Sequence, residues 1–210
     1  MKKVIYTVIF GDYDNLKEPT IISDGWDYIC FTNQPLKSDV WKIVQVKTDK
    51  PNHIIAREIS IYPYDYLEGY DIAMSVGGQV GVKSDLNNYL LDLECLNLLS
   101  HPDRQCIYQE LMQIALREKD SWQNVIKSAE YFHKEKMPQN NGLYATGIMG
   151  RDLHNSKVKG FCKIWLLELN RFCFRDQVSL AYCIWKWQFK HINTIDFNVL
   201  FNEFQLTKHK

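Results

Sequence analysis

Val4-Ile5-Tyr6-Thr7-Val8-Ile9-Phe10 is an unbroken run of β-branched and aromatic side chains. A strand with one wet face alternates apolar and polar residues. A run without alternation fits a strand buried on both faces, which is the situation inside a parallel sheet. The run stops at Gly11-Asp12-Tyr13-Asp14, a turn-forming sequence. Residues 71–76 repeat the arrangement and end in Gly77-Gly78-Gln79, after which Val80 and Val82 resume an alternating pattern.

Residues 27–32 and 41–46 are two further strand candidates, separated by the turn-like Asn33-Gln34-Pro35. The spacing predicts a helix over 53–62, ended by Pro63. It predicts a second, leucine-rich and near-amphipathic helix over 86–99. Asp120-Ser121 followed by Gln123 has the character of a capping box. Trp122, Val125, Ile126, Ala129 and Phe132 then recur at helical spacing. Residues 143–149 read as a strand, 163–169 and 176–187 as helices, and 192–195 as a last strand. No internal repeat, low-complexity segment or linker divides the chain. Strands alternating with helices predict one α/β domain around a mostly parallel sheet.

Lys plus Arg and Asp plus Glu number 25 each among 210 residues. That balance favours neither nucleic acid nor an anionic membrane as partner. The cysteines at 30, 95, 106, 162, 173 and 183 include no CxxC pair and no zinc-like spacing with histidine. They read as reduced, mostly buried thiols. The apolar run after Met1-Lys2-Lys3 is too short for a signal peptide, and no stretch has the length of a membrane span. The expectation is a cytoplasmic protein.

Open parallel sheets bind ligands at the carboxyl ends of their strands, which directs attention to the polar residues there. Phe10-Gly11-Asp12-Tyr13-Asp14 could hold a base and ribose, or be an ordinary turn. Ser75-Val76-Gly77-Gly78-Gln79 could let backbone approach a ligand, or be a bulge. Asn140-Asn141-Gly142, leading to Thr146-Gly147, offers amides suited to sugar hydroxyls, or is a turn. Arg175-Asp176-Gln177 could place a carboxylate beside a diphosphate-binding arginine, or Asp176 could be a helix N-cap. His101-Pro102-Asp103-Arg104 could bind phosphate or a metal.

Taken in order, 6–19, 27–32, His101-Pro102-Asp103-Arg104-Gln105-Cys106-Ile107-Tyr108, Asn140-Asn141-Gly142-Leu143 and Arg175-Asp176-Gln177-Val178-Ser179 resemble a known family. It is the glycosyltransferase-like domain of bacterial polysaccharide loci and plant Golgi proteins, formerly a domain of unknown function. That family in turn resembles the GT-A nucleotide-sugar glycosyltransferase fold.

The resemblance implies a single Rossmann-like GT-A domain, with a nucleotide-binding half over about 1–100 and an acceptor half over about 101–210. It implies a nucleotide-sugar donor and a glycan or other hydroxyl acceptor, in surface polysaccharide biosynthesis. Phe10, Gly11, Asp12, Tyr13, Arg57, Gly77, Gly78 and Gln79 would bind the nucleotide. His101, Arg104, Asn140, Asn141, Gly142, Arg175 and Gln177 would bind substrate, and Asp176 would be the catalytic carboxylate. The implied cofactor is Mn²⁺ or Mg²⁺ on a DxD-type motif. Here the family's Asp-Gly-Asn is Gly77-Gly78-Gln79, with a neutral carbonyl in place of the carboxylate these ions prefer. No residue is therefore assigned as a metal ligand. Cations such as Arg57, Arg104 or Arg175 would offset the diphosphate charge, or the domain would bind without catalysing. A hydrolase ranks last, because no metal cluster or nucleophile–base pair is evident.

Overall fold

The structure is a computed structural model. It describes residues 1–207 except Leu90 and Phe172, and the backbone but not the side chains of Val199 and Leu200. In chain order the elements are β1 (Lys3–Ile9), β2 (Trp26–Thr32), β3 (Lys42–Gln45), α1 (Asn52–Ile61), β4 (Ile72–Val76), β5 (Val80–Val82) and β6 (Leu96–Ser100). There follow α2 (Ile107–Leu116), α3 (Trp122–Lys134), β7 (Tyr144–Asp152), α4 (Ser156–Leu169), α5 (Asp176–Lys186), β8 (Ile192–Ile195), α6 (Val199–Glu203) and β9 (Phe204–Leu206).

Seven strands form one sheet in the order β3-β2-β1-β4-β7-β6-β8, and β5 pairs with β9 in a separate ribbon. β7 runs against both its neighbours, while the other pairings in the large sheet are parallel. The chain is thus a mixed α/β domain with a mostly parallel central sheet.

β1 is buried on both faces, as its sequence predicts. Val4 and Tyr6 pack with Ile55 and Ile59 of α1, while Ile5 and Ile9 pack on the other side with Val80, Val82 and Phe204 of the ribbon. Helices α2 to α5 enclose a second, larger core with Leu98 and Met149 of the sheet. Because β1 and β4 are parallel neighbours, the 11–14 and 77–79 turns leave the sheet at the same edge. Because β7 is reversed, its beginning lies at that edge too.

Three sequence expectations need correction. The 86–99 segment is not a helix: a short 3-10 turn over Leu86–Asn88 leads to strand β6. Leucines suit a strand as well as a helix when both faces are buried, and β6 lies between β7 and β8. Leu90, within that segment, lies outside the described residues. On α3 the buried stripe is narrower than the spacing implies: Val125 and Phe132 are buried, whereas Trp122 and Ile126 are exposed. Its N-cap, Ser121, accepts from the Asn124 N–H, so Gln123 is not the partner in a capping box. α2 had no counterpart among the helices expected from the sequence.

Arg151, on β7, is fully buried. It donates to the carbonyls of Ile61 at 2.6 Å and Ser60 at 3.3 Å, at the carboxyl end of α1. Unpaired carbonyls at a helix end carry partial negative charge, so α1 supplies the counter-charge for a buried cation. Burial pushes the Tyr6 hydroxyl up to about 12 and also raises the Cys162 thiol, so both stay protonated beside the guanidinium. Arg151→Ala should destabilise the fold by about 3 kcal/mol or more, from a cavity plus an orphaned carbonyl, measured by urea denaturation.

Candidate functional site

The edge where β1, β4 and β6 end and β7 begins collects the polar residues singled out in the sequence. Gly11 has φ +63°, a conformation that favours glycine. Its N–H donates to Asn33 Oδ1 at 3.0 Å, and Asn33 Nδ2 donates to Asn52 Oδ1 at 3.0 Å. A Cβ at Gly11 would sit 2.7 Å from Asn52 Nδ2. Two amides therefore lock the turn after β1 to the end of β2 and the start of α1. Asp12 and Tyr13 project from that turn and are exposed, whereas Asp14 is buried.

Asp14 lies against the second turn. A Cβ at Gly78 would be 2.7 Å from both Cβ and Oδ2 of Asp14, so only glycine leaves room for that carboxylate. Gly77 is different. It is not in the left-handed region, and a Cβ there would meet only the mobile carboxamide of Gln79, at 2.8 Å. The Gln79 carbonyl accepts from both the N–H and the hydroxyl of Thr207. The Gly77 N–H donates to the Gly147 carbonyl at 2.8 Å. The turn is thus held by β9 on one side and β7 on the other.

β7 is irregular at this point. Its register against β6 shifts between Leu98, opposite Met149, and Leu99, opposite Ala145. The extra residues between include Thr146 and Gly147, and such bulges re-aim side chains. The Thr146 hydroxyl donates to Asp176 Oδ2 at 2.7 Å, and Arg57 Nη1 meets the same oxygen at 2.7 Å. Asp176 is the first residue of α5 and Arg175 is the N-cap position, so the N-cap reading of Asp176 does not hold. Its carboxylate instead joins α1, β7 and α5, at the end of α5 where the helix dipole favours negative charge.

Beside this group lies a cleft of about 230 Å³, walled by the end of β6, the start of β7, α2 and the β5–β9 ribbon. The amides of Gln79, Gln113 and Gln177, the cations Arg104, Arg117 and Lys119, and an apolar floor including Leu99 and Phe197 line it. Glu110, buried in its wall, accepts from Arg104 Nε at 2.7 Å and faces His101 Nε2 at 3.6 Å. His101 Nδ1 accepts the N–H groups of Asp103 and Arg104, at 3.2 and 3.1 Å. Both ring nitrogens are thereby engaged, with the proton on Nε2. Burial holds the ring's pKa below the usual histidine value, against the pull of Glu110.

The structure brings Gly77, Gly78, Gln79, Arg57 and Asp176 to one edge, with Gln177, His101 and Arg104 around the adjoining cleft. Asn140, Asn141 and Gly142 form a loop beside it, where the Gly142 N–H donates to the Gln105 carbonyl and Asn140 and Gly142 have positive φ; none of the three lines the cleft. Arg175 does not line the cleft either, and bonds to the carbonyl of Lys119, which does. Sequence reasoning weighed Asp14 within the 10–14 cluster but missed Glu110, Arg117 and Lys119, which lie on or just after α2.

A divalent cation held as in a DxD motif does not fit this edge. The 77–79 turn offers a neutral carboxamide, and Asp176 is already bound to Arg57. Among the described residues no three His, Cys, Asp or Glu side chains gather to hold a metal. No helix among them is long and apolar enough to cross a membrane. No protein-family model matches the chain, and no curated protein matches its sequence.

Two outcomes follow from the packing and the charge. Gly78→Ala should cost about 1–3 kcal/mol through overpacking against Asp14, while Gly77→Ala costs well under that, both measured by thermal unfolding. Because His101 is held neutral, its stabilising contribution is complete above its unfolded value near 6.5 and is lost as pH falls towards its folded value. The stability gap between wild type and His101→Ala should therefore narrow as pH drops below about 6.5.

Proposed function

We propose that this chain binds a nucleotide-sugar and transfers its sugar to a hydroxyl of a glycan acceptor, in the building of a surface polysaccharide. One observation carries the reading. A carboxylate, Asp176, is fixed by Arg57 and Thr146 at the sheet edge where two glycine-bearing turns meet, beside a cleft lined by amides and cations. The locked 11–14 turn and the exposed Tyr13 suit a nucleoside, and the glutamine amides suit sugar hydroxyls, which need both donors and acceptors.

In this reaction the bond from the anomeric carbon to the phosphate oxygen breaks and a bond to the acceptor oxygen forms. Negative charge grows on the departing diphosphate, and a guanidinium placed there lowers the barrier. Arg57 is the cation at this edge, paired with Asp176. Drawing Arg57 to the diphosphate would free Asp176 to accept the proton of the acceptor hydroxyl. Donor binding and activation of the carboxylate are then one event.

A second reading is a non-catalytic nucleotide- or glycan-binding domain of the same fold. The sequence Gly77-Gly78-Gln79, without a carboxylate, favours it. Thermal shift against UDP, GDP, CMP and their sugars, with and without Mn²⁺, tests both readings; a bound ligand at a hundred times its dissociation constant adds roughly 2.7 kcal/mol. Asp176→Asn should lower turnover by about a hundredfold or more and leave the unfolding temperature within a few degrees. Unchanged turnover removes Asp176 from the role, and nucleotide binding without any turnover selects the second reading. Nucleotide binding to the wild type should depend little on Mn²⁺. The double variant Gly77→Asp, Gln79→Asn should acquire Mn²⁺-dependent binding of UDP, read by calorimetric titration with and without EDTA.

A further inference from the structure

The cleft contains more positive charge than its own carboxylates neutralise. Two acids line it, Asp103 and Glu110. Both are turned to Arg104, which donates to Glu110 at 2.7 Å and lies 3.8 Å from Asp103. Arg104 is thereby matched within the protein. Arg117 and Lys119 also line the cleft, and neither makes an ion pair with any described carboxylate. They follow directly on α2, whose last turn hands over through bonds from the Arg117 N–H to Gln113 and from the Lys119 N–H to Ile114. The Lys119 carbonyl is in turn held by the Arg175 guanidinium, which fixes the segment against the start of α5 and adds a third cation beside it.

Resting on the reading of the site as a sugar-transfer centre, we propose that the acceptor is itself anionic, and that Arg117 and Lys119 hold its phosphate or carboxylate group in this cleft. Arg175, Arg117 and Arg104 all bear on Lys119, opposed by Glu110. The ammonium of Lys119 is held below the ordinary lysine value, by burial first and then by the guanidiniums of Arg175 and Arg117. An anion between Arg117 and Lys119 would relieve that repulsion, and a guanidinium can grip it through two N–H bonds. The position separates this anion from the donor diphosphate. Neither Arg57 nor Asp176 is among the residues that line the cleft, whereas Arg117 and Lys119 are. The amides of Gln113 and Gln177 line the same cleft and offer the donors and acceptors that sugar hydroxyls need. The acceptor is therefore a sugar phosphate or an acidic sugar, with its charged group away from the reacting hydroxyl.

Calorimetric titration tests this with glucose 1-phosphate, glucuronate and neutral glucose, each with and without saturating UDP. Glucose 1-phosphate or glucuronate should bind at least about tenfold tighter than glucose, the scale of a charged hydrogen bond, and whichever binds better identifies the anion. Binding should persist when UDP is present. Arg117→Gln with Lys119→Gln should weaken it by about tenfold or more and leave both UDP affinity and the unfolding temperature unchanged. The proposal is overturned if neither anion binds better than glucose, if the double variant binds the anion as well as wild type does, or if UDP displaces the anion competitively. In the last case the two cations serve the donor. The two readings fail separately: UDP binding without anion binding removes the anionic acceptor alone, and anion binding without any nucleotide binding removes the sugar-transfer reading.

Discussion

The site depends on one buried cation. Arg151 takes the carbonyls of Ser60 and Ile61 at the end of α1 and belongs to β7, the reversed strand. A guanidinium has five donors in a rigid plane, so it sets the distance and angle between that helix and that strand. Arg57 lies on α1 and Thr146 on β7, and both reach the same oxygen of Asp176. A shift of α1 along the sheet would part Arg57 from Asp176 before it disturbed the apolar contacts of Ile55 and Ile59. The buried charge thus converts packing of the interior into geometry at the edge.

The reversal of β7 has a second consequence. In an all-parallel sheet the beginning of every strand lies at the edge away from the ligand. Here β7 begins at the edge where β1, β4 and β6 end, so its first residues contribute side chains and carbonyls there directly. The register shift against β6 leaves Thr146 and Gly147 of β7 between the paired residues. There the Gly147 carbonyl accepts the Gly77 N–H while the Thr146 hydroxyl reaches Asp176.

How much of this could be read from the chain depended on whether one residue type had one physical use. The run before Gly11 was legible because nothing but a strand buried on both faces requires seven such residues in succession. The Gly11 and Gly77 turns followed from it, and parallel pairing put them on one edge. The 86–99 segment was misread because leucine fills a buried strand and a helix equally well, and only the neighbours of β6 decide between them. Asp176 was ambiguous for a similar reason: an aspartate at a helix start is a cap unless something across space engages it, and Arg57 lies more than a hundred positions earlier in sequence. Glu110 was hidden within a helix that had not been expected, and Arg117 and Lys119 just after it. The crowding of cations around Lys119 needs the contact between Arg175 and the Lys119 carbonyl, which no spacing rule supplies.

The two glycines of the 77–79 turn, alike in sequence, differ in what compels them. Gly78 is compelled by sterics, since Asp14 fills the space a side chain would take. Gly77 is not, for its backbone is ordinary and its neighbour is the free end of Gln79. Had the missing carboxylate been a concession to the fold, position 77 would be the one without room. On the proposed reading its absence is instead a matter of charge. An aspartate at 77 would add a negative group to an edge where Asp14 and Asp176 already lie and where Arg57 is committed to Asp176. Without a divalent ion such an addition would weaken the hold of the edge on a diphosphate. On the proposed reading, Gly77 and the Arg57–Asp176 pair are two parts of one arrangement, in which protein cations would meet the phosphate charge directly.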